Sequence, residues 1–232
     1  MNHFIIMTGL QVCQFYFSII CTYDIIVWLT FRKGGLALPD LILASRSPRR
    51  LELLRGLGFS FRAESFDVDE TCDLPAPEAV ELLSLRKART AQAKYAGSYI
   101  LSADTLVSFR NDTLGKPKDQ NDACRMLRLL SGNTHQVYTG VTVLSPDGQA
   151  FTDHDCSNVT FCDLSDRDIH SYVSSGEPMD KAGSYAIQGR AALWISHMDG
   201  SPSSVIGLSL YLVRSLLLQS GFPLDRMLDS MQ

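Results

Sequence analysis

From residue 40 onward, short apolar segments alternate with amphipathic ones, and polar connections join them. The run 41–44 (LILA) is apolar and ends at a turn, which predicts a buried strand. Residues 77–95 have apolar side chains at helical spacing, and 99–109 (YILSADTLVSF) predict a strand that ends in a polar turn at 110–112. This alternation predicts an α/β fold.

The second half of the chain continues the alternation. A helix is predicted from about 119 to 131, and strands at 136–144 and 158–164 are expected to pair as a hairpin through a PDG turn. The remaining predicted elements are a helix opened by a Ser165–Asp168 capping box and ended by Gly176, a strand at 192–198 (ALWISHM) and a closing helix at about 208–220. Because no linker or repeat interrupts the pattern, we expect two lobes of one unit.

The first 38 residues have a different pattern, with no charged side chain from Phe4 to Tyr23. That length would allow one membrane span, and the basic pair at 32–33 would then keep the following domain in the cytoplasm. Polar residues within the stretch, and the lack of a signal-peptide pattern, favour instead a peripheral extension or an alternative start. We therefore predict a domain at 39–232 and do not favour membrane contact by residues 4–31.

Composition narrows the class of protein. The chain has 232 residues, 45% of them apolar, which is enough to bury a full core. A net charge of −4 disfavours stable binding of nucleic acid through its phosphate backbone. The six cysteines are scattered without a C-x-x-C pair, which argues against a zinc site made of cysteines and indicates reduced thiols in the cytoplasm.

Arg49 and Arg50 stand in the first turn of a predicted helix, where Ser47 is the N-cap and Pro48 the first helical residue. Cations at that end interact unfavourably with the helix dipole, at a cost of about 0.3–1 kcal/mol. A bound phosphate would accept hydrogen bonds from the free backbone N–H groups and would pair with an arginine. From the motif alone, two solvated surface arginines are an equally good interpretation.

Two charged residues occupy positions that the pattern predicts to be apolar. Asp104 lies inside the strand 99–109, where a metal ion or a cation would supply the partner that it needs, unless it caps a bulge at the strand end. Lys87 lies on the apolar row of its helix. Its side chain is expected either to reach solvent or to stand at the rim of a cleft.

Two loops contain further charged candidates. The GKPK loop at 115–118 holds Lys116 between glycine and proline, where it could face phosphate oxygens or lie in a solvated turn. The acidic run FDVDE ends in Glu70 and offers the oxygen ligands that magnesium prefers, although a solvated loop has the same composition. Together, these cations and carboxylates are the groups that phosphoryl chemistry requires.

In this order, the motifs resemble those of the Maf-like nucleotide pyrophosphatases, also called septum formation proteins. The matching stretches span residues 40–218 and are LILASRSPRRLELLRGLG, FDVDE, the helix with RKA, SADTLV, LGKPKD, MLRLLSGNTHQVYTGV, SGEPMDKAGSYAIQG and SSVIGLSL. The resemblance implies an α/β fold of the Maf/ITPase-like type, with a mixed twisted sheet, flanking helices and two lobes around a central cleft. It also implies hydrolysis of nucleoside triphosphates to monophosphate and pyrophosphate with a divalent metal cation, Mg²⁺ or Mn²⁺.

The resemblance also implies roles for individual residues. Asp104 takes the position of the catalytic proton acceptor, and Glu70 and Asp104 are expected near the metal. The residues that match phosphate-binding positions are Ser45, Arg50, Lys87 and Lys116. A nucleotide-binding or partner-binding module without activity is the alternative function, and a homodimer stays open. The biological role would be nucleotide-pool sanitation or one linked to cell division.

Three residues match the branch of the family that acts on dTTP, UTP and related pyrimidines: Arg49, Thr105 and Gln188. The neutral amide of Gln188 can both donate and accept hydrogen bonds toward a pyrimidine edge. If Gln188 only fixes its own loop, specificity would be broad. The chain departs from the family pattern at Ala191, Ala192 and Ser209, which lie away from the phosphate-binding set and are expected to affect packing or base-side geometry.

Overall fold

The computed structural model describes residues 40–225, so the predictions made for residues 1–38 lie outside the described residues. Seven strands form one sheet: β1 (Leu41–Leu43), β2 (Arg62–Ala63), β3 (Tyr99–Phe109), β4 (Asp112–Leu114), β5 (Thr134–Leu144), β6 (Ala150–Phe161) and β7 (Ile195–Asp199). The flanking α-helices are α1 (Pro48–Gly56), α2 (Ala76–Lys94), α3 (Gln120–Leu130), α4 (Asp166–Val173), α5 (Pro202–Ile206) and α6 (Leu210–Gln219). Short 3₁₀ helices occur at Glu177–Asp180, Ala182–Ser184 and Arg190–Trp194.

The sheet is mixed, with strand order β2-β1-β3-β5-β6-β7 and with β4 paired to β3. Strand β1 runs parallel to β2 and β3, whereas the other pairs are antiparallel. Strand β5 covers one edge of β3 along residues 100–108. The other edge is shared, because β1 pairs with 99–101 and β4 pairs with 107–109. Within the described residues, no strand covers 102–106 on that edge, so the sheet has a gap there.

Helix α2 lies directly on the sheet at Gly140 of β5. A Cβ atom at that position would stand 2.3 Å from the carbonyl oxygen of Val80 and 2.9 Å from the backbone nitrogen of Glu81. Only glycine therefore permits this close approach of helix and strand. This contact fixes the position of the α2 backbone on the sheet, and therefore also the positions from which its side chains extend.

The buried apolar residues form two clusters on the one sheet. The larger cluster packs α3 and α4 against the region of β5 and β6 that includes Val137, Val159 and Phe161. The smaller one lies between α2 and the region of β1 and β3 that includes Ile42 and Ile100. The two expected lobes correspond to these clusters, and the long strands β3 and β5 run through both.

The fold class predicted from the sequence is confirmed. Strand β3 has the predicted bounds, Asp119 caps α3 by accepting from the backbone N–H of Asp122, and the capping box of Ser165 and Asp168 opens α4. Within residues 40–225, none of the helices is both long enough and apolar enough to span a membrane.

The prediction of a strand at 192–198 is wrong in its first part. Residues 190–194 form a 3₁₀ helix, and β7 begins only at Ile195. In a 3₁₀ helix, residues three positions apart lie on the same side, so Ala191 and Trp194 can both face the larger cluster. Ala191 is fully buried, and the ring of Trp194 packs edge-on against that of Tyr172 at 4.9 Å.

Candidate active site

A cavity of about 640 Å³ lies at the gap in the edge of β3. Its walls come from the turn after β1, the first turn of α1, the segments 65–70 and 180–187, helix α2, the middle of β3 and the connection between β4 and α3. The gap arises because β1 stops at Leu43, which is in register with Leu101, and β4 ends at Leu114, which is in register with Val107. The gap therefore brings distant parts of the sequence to one opening.

In the wall of the cavity, one lysine contacts two carboxylates. The Nζ atom of Lys87 lies 2.5 Å from Oδ1 of Asp104 and 2.7 Å from Oε1 of Glu70. Hydrogen bonding to Lys87 lowers the pKa of the Glu70 carboxyl below its usual value. Asp104 is buried and stands in regular register with Gly140, so it does not cap a bulge. Lys87 is likewise not at the solvent edge, since only 15% of its side chain is exposed.

The two arginines are held by backbone carbonyls at the end of α5. Arg50 donates from Nε to the carbonyl oxygen of Gly207 at 2.7 Å, and Arg49 donates from Nε to that of Ile206 at 3.3 Å. Arg50 also donates to Oγ of Ser45 at 3.4 Å and to Oγ1 of Thr105 at 3.3 Å. The interpretation of both as solvated surface arginines is therefore wrong for Arg50.

Burial lowers the pKa of the Arg50 guanidinium. The group keeps its charge because the ordinary pKa of arginine lies far above neutrality. Ser47 occupies the predicted N-cap position of α1 but makes no side-chain cap. Its backbone N–H donates instead to Oγ of Ser45 at 3.2 Å, which orients the serine at the cavity wall.

The loop that contains Lys116 reaches the same cavity. Lys116 lines it, although the residue as a whole is exposed, and Lys118 of the same loop does not. The backbone carbonyl of Gly115 accepts a hydrogen bond from Gly183 at 3.1 Å, which joins this loop to the segment 180–187. The cavity thus receives cations from α1, α2 and the β4–α3 connection.

Sequence reasoning missed Lys181, which also lines the cavity. Its Nζ lies 2.6 Å from the backbone oxygen of Glu177 and 2.6 Å from Oδ1 of Asp180, and 13% of its side chain is exposed. This pairing lowers the pKa of the Asp180 carboxyl. The only indication in the sequence is the charged pair DK before the small residues AGS. Hydrophobic periodicity does not reveal this position, because the segment forms short 3₁₀ helices.

The three residues expected to set base specificity are not equivalent in the structure. Arg49 and Thr105 line the cavity, and Oγ1 of Thr105 lies 2.9 Å from Oγ1 of Thr139. Gln188 is exposed and does not line the cavity, although its neighbour Ile187 does. The structure therefore brings together all of the predicted site residues except Gln188.

Among residues 40–225, two groups of side chains offer donors to a metal ion. Glu70 and Asp104 present carboxylate oxygens within the cavity, where both contact one ammonium group. Hard oxygen donors of this kind suit Mg²⁺ or Mn²⁺. The second group, Glu81, Asp153 and His154, belongs to α2 and β6 and does not line the cavity.

A comparison of the sequence with family models finds a match to the Maf-like protein family over residues 40–220. The chain belongs to the Maf-like protein family. The dTTP/UTP pyrophosphatase of Geobacillus sp. (strain WCH70) is 47% identical to this Maf-like chain over 174 residues, which are 74% of this chain and 92% of that protein. That of Symbiobacterium thermophilum is 47% identical over 188 residues, 80% of this chain and 96% of that protein.

Among solved structures, the Ham1 protein of Staphylococcus aureus is similar to this Maf-like chain with a TM-score of 0.46 and 14% identity. The similarity covers 78% of this chain and 98% of that one. At this TM-score, the family assignment rests on the sequence matches alone.

One departure from the family pattern has a visible packing role. Ser209 is the N-cap of α6 and accepts from the backbone N–H of Leu212, while its Oγ donates to Oδ2 of Asp155 at 2.8 Å. This joins α6 to β6, away from the cavity of the Maf-like site.

Proposed function

We propose that this chain hydrolyses nucleoside triphosphates to nucleoside monophosphate and pyrophosphate, with a preference for dTTP and UTP. Relatives that are 45–47% identical over most of their length are named dTTP/UTP pyrophosphatases. We propose that the biological role of this hydrolysis is nucleotide-pool sanitation or a function linked to cell division.

The observation that carries the proposal is the convergence of charge at the gap in β3. Six cationic side chains line the cavity and three carboxylates stand among them. The ones proposed to act on the phosphates and the metal are Arg50, Lys87, Lys116, Lys181, Glu70 and Asp104. Phosphoryl chemistry depends mainly on positioning and charge stabilisation, so this arrangement suits it. The cavity volume of about 640 Å³ lies in the range typical of small-ligand sites.

In the proposed reaction, a water oxygen attacks the α-phosphorus in line with the bond to the bridging oxygen, and that bond breaks. Asp104 accepts the proton of the water, since its carboxylate lines the cavity and is held in place there by Lys87. The electron pair leaves with the pyrophosphate, whose charge the lysines and Arg50 neutralise. Ser45 and Arg50 hold the phosphates near the first turn of α1.

Glu70 and Asp104 are the residues that would hold a divalent cation, since both present hard oxygen donors in the cavity wall, beside the ammonium group of Lys87. A divalent cation bound there, Mg²⁺ or Mn²⁺, would polarise the phosphate oxygens and offset their charge. The ammonium group of Lys87 already holds both carboxylates in place.

A panel of nucleoside triphosphates tests the proposal, with pyrophosphate release measured in the presence and absence of Mg²⁺. We expect release from dTTP and UTP that depends on the cation. Lys116→Ala should raise KM for the triphosphate, whereas the matched Lys118→Ala, in the same loop but outside the cavity, should leave it unchanged. Absence of release from every nucleotide by folded protein would contradict the proposal and support a binding module without activity.

We further propose that residues 39–232 are sufficient for this activity, because the family match begins at residue 40 and all of the cavity residues follow it. The proposed location is the cytoplasm, where thiols stay reduced, and the four cysteines among the described residues are free. The partner is the nucleotide itself. The net charge of −4 disfavours stable nucleic-acid binding.

A further inference from the structure

A second group of side chains that offer donors to a metal ion belongs to α2 and β6 and lies outside the cavity. Glu81, Asp153 and His154 each offer one donor atom, and the three atoms lie within 4.8 Å of one another. Nδ1 of His154 is 2.6 Å from Oε1 of Glu81. We propose that these three residues form a second metal site, which binds a borderline cation such as Zn²⁺ through one nitrogen and two oxygens.

The donor set and its spacing fit this kind of ion. Zinc takes imidazole nitrogen and carboxylate oxygen at roughly 2.0–2.2 Å, so tetrahedral ligands stand roughly 3.4 Å apart. Small rotations of the three side chains would bring their donors to this spacing, and water would complete the coordination. Imidazole favours zinc over Mg²⁺, which the all-oxygen pair in the cavity suits better.

The backbone that carries the donors is fixed on both sides. The contact of Val80 and Glu81 with Gly140 sets the height of α2 above the sheet. Asp153 and His154 belong to the regular ladder between β5 and β6, where His154 is in register with Gly140 itself. Glu81 and His154 therefore meet because α2 crosses the sheet at this point, and Asp153 is the neighbour of His154 in the strand.

The charges in this group also differ from those elsewhere. Over residues 40–225, every other carboxylate in an ion pair contacts a lysine or an arginine. Glu81 contacts only an imidazole, and Asp153 forms no ion pair within that part of the chain. Two carboxylates thus stand beside a histidine without a permanent cation, and a divalent ion would supply one. Bound there, it would join α2 to β6.

Calorimetric titration of the full chain with Zn²⁺, in excess Mg²⁺ to occupy the oxygen site, tests the proposal. We expect binding that is weakened more than about tenfold in His154→Ala and in Asp153→Asn, because loss of a ligand costs more than loss of a residue that merely orients one. Zn²⁺ should also raise Tm of the unmodified protein and not of these variants, because only the folded state presents the site.

The matched control is His197→Ala, which removes an exposed histidine from β7 and should bind Zn²⁺ as the unmodified protein does. Asp153→Asn guards against a folding defect, because Asp153 is exposed and its hydrogen bond is to the neighbouring backbone. No Zn²⁺ binding by the unmodified protein would overturn the proposal. The proposal would also be overturned if the site variants bound Zn²⁺ as tightly as the unmodified protein does, or if His197→Ala weakened binding as much as they do.

Discussion

Two buried polar pairs on neighbouring strands differ in charge: one is an ion pair and the other is a hydrogen bond between neutral groups. In the cavity, Asp104 of β3 contacts Lys87, and Glu70 contacts the same ammonium group. In the larger cluster, Nε2 of His135 on β5 lies 2.8 Å from the hydroxyl of Tyr185. The first pair brings together groups of opposite charge, whereas the second joins two groups that are neutral at physiological pH.

Burial explains the neutral state of the second pair. Desolvation lowers the pKa of His135 to about 4 and raises that of Tyr185. The rings of Phe161 and Tyr185 pack edge-on against the imidazole, with ring centroids 5.2 and 5.3 Å from its own, so both of these neighbours are uncharged. The comparison indicates that a charged buried group in this fold needs an opposite charge as its neighbour.

The segment 177–190 connects the two regions. Oε1 of Glu177 accepts from the hydroxyl of Tyr172 at 3.0 Å and from the backbone N–H of Arg190 at 3.2 Å. Lys181 and Tyr185, which belong to this segment, both line the cavity. The larger cluster, which includes Tyr172 and Tyr185, therefore packs against the segment that forms one wall of the cavity.

The largest effect is expected from Asp104→Asn, which keeps the shape of the side chain and removes the proton acceptor. General-base help is typically worth ~10²–10⁴ in rate, so kcat for pyrophosphate release should fall by about that factor. Tm should stay near that of the unmodified protein. Asp199→Asn, at an exposed position in β7, is the control that should keep full turnover. Retained turnover in Asp104→Asn would exclude Asp104 as the base.

The neutral pair leads to a prediction for stability against pH. The pKa of His135 is lowered from 6.5 to about 4 on folding, so between these values the unfolded chain binds more protons than the folded one. Stability should therefore decrease as the pH falls from 6.5 toward 4, by about 3 kcal/mol for this residue. Denaturant unfolding of the unmodified protein and of His135→Phe, each across that range, measures the difference in slope.

The phenylalanine variant loses stability at neutral pH, because the Tyr185 hydroxyl is left without its partner, but the histidine contribution to the pH slope should vanish. His197→Ala removes an exposed histidine and should leave the slope unchanged. If His135→Phe has the slope of the unmodified protein, His135 is not the group that couples folding to protons.

The charged pair could be predicted in part from the sequence, and the neutral pair could not. Asp104 and Lys87 stand out because each interrupts an apolar pattern, and the family motifs then assign them roles. His135 and Tyr185 interrupt nothing, since both types of residue occur in cores and in strands. Their pairing depends on the path of the segment 177–190, which no periodicity encodes.

Long-range contacts are the other part that local patterns miss. Arg50 binds the carbonyl of Gly207, which lies 157 residues away, and helix propensity near residue 50 contains no information about that partner. The sequence predicts too early a start for β7 because ALW has strand-like composition, whereas the backbone there forms a 3₁₀ helix that leaves Leu193 exposed. The local pattern therefore predicts most helices and strands, whereas their exact ends and the contacts between them depend on tertiary packing.

A smaller effect is expected where the two regions join. Lys181→Ala removes a cation from the cavity wall and leaves the neutral pair of His135 and Tyr185 unchanged. KM for dTTP should therefore rise about tenfold, which corresponds to the low end of the free energy of a hydrogen bond to a charged group. A change in kcat much larger than that in KM would contradict a role in ground-state binding of phosphate. Lys118→Ala, outside the cavity, is the control and should leave both constants unchanged.

The smallest effect is expected at Gln188, at the end of the connecting segment. The unmodified protein should have a higher kcat/KM for the pyrimidine nucleotides dTTP and UTP than for a purine nucleotide such as 7-methyl-GTP. The reason is that the amide of Gln188 can donate and accept hydrogen bonds toward a pyrimidine edge. Gln188→Glu loses the donor and should reduce this preference by roughly tenfold or less, since the side chain is exposed beside the cavity and not within its wall.

The matched control for this change of charge is Gln149→Glu, at an exposed position next to β6, which should leave the ratio unaltered. If Gln188→Glu also leaves the ratio unaltered, Gln188 only fixes its own loop and the preference must come from Arg49 and Thr105, which do line the cavity. Equal or better turnover of 7-methyl-GTP by the unmodified protein would reject the pyrimidine preference. It would leave the pyrophosphatase proposal standing, because that proposal rests on the charges around the phosphates, not on the groups that face the base.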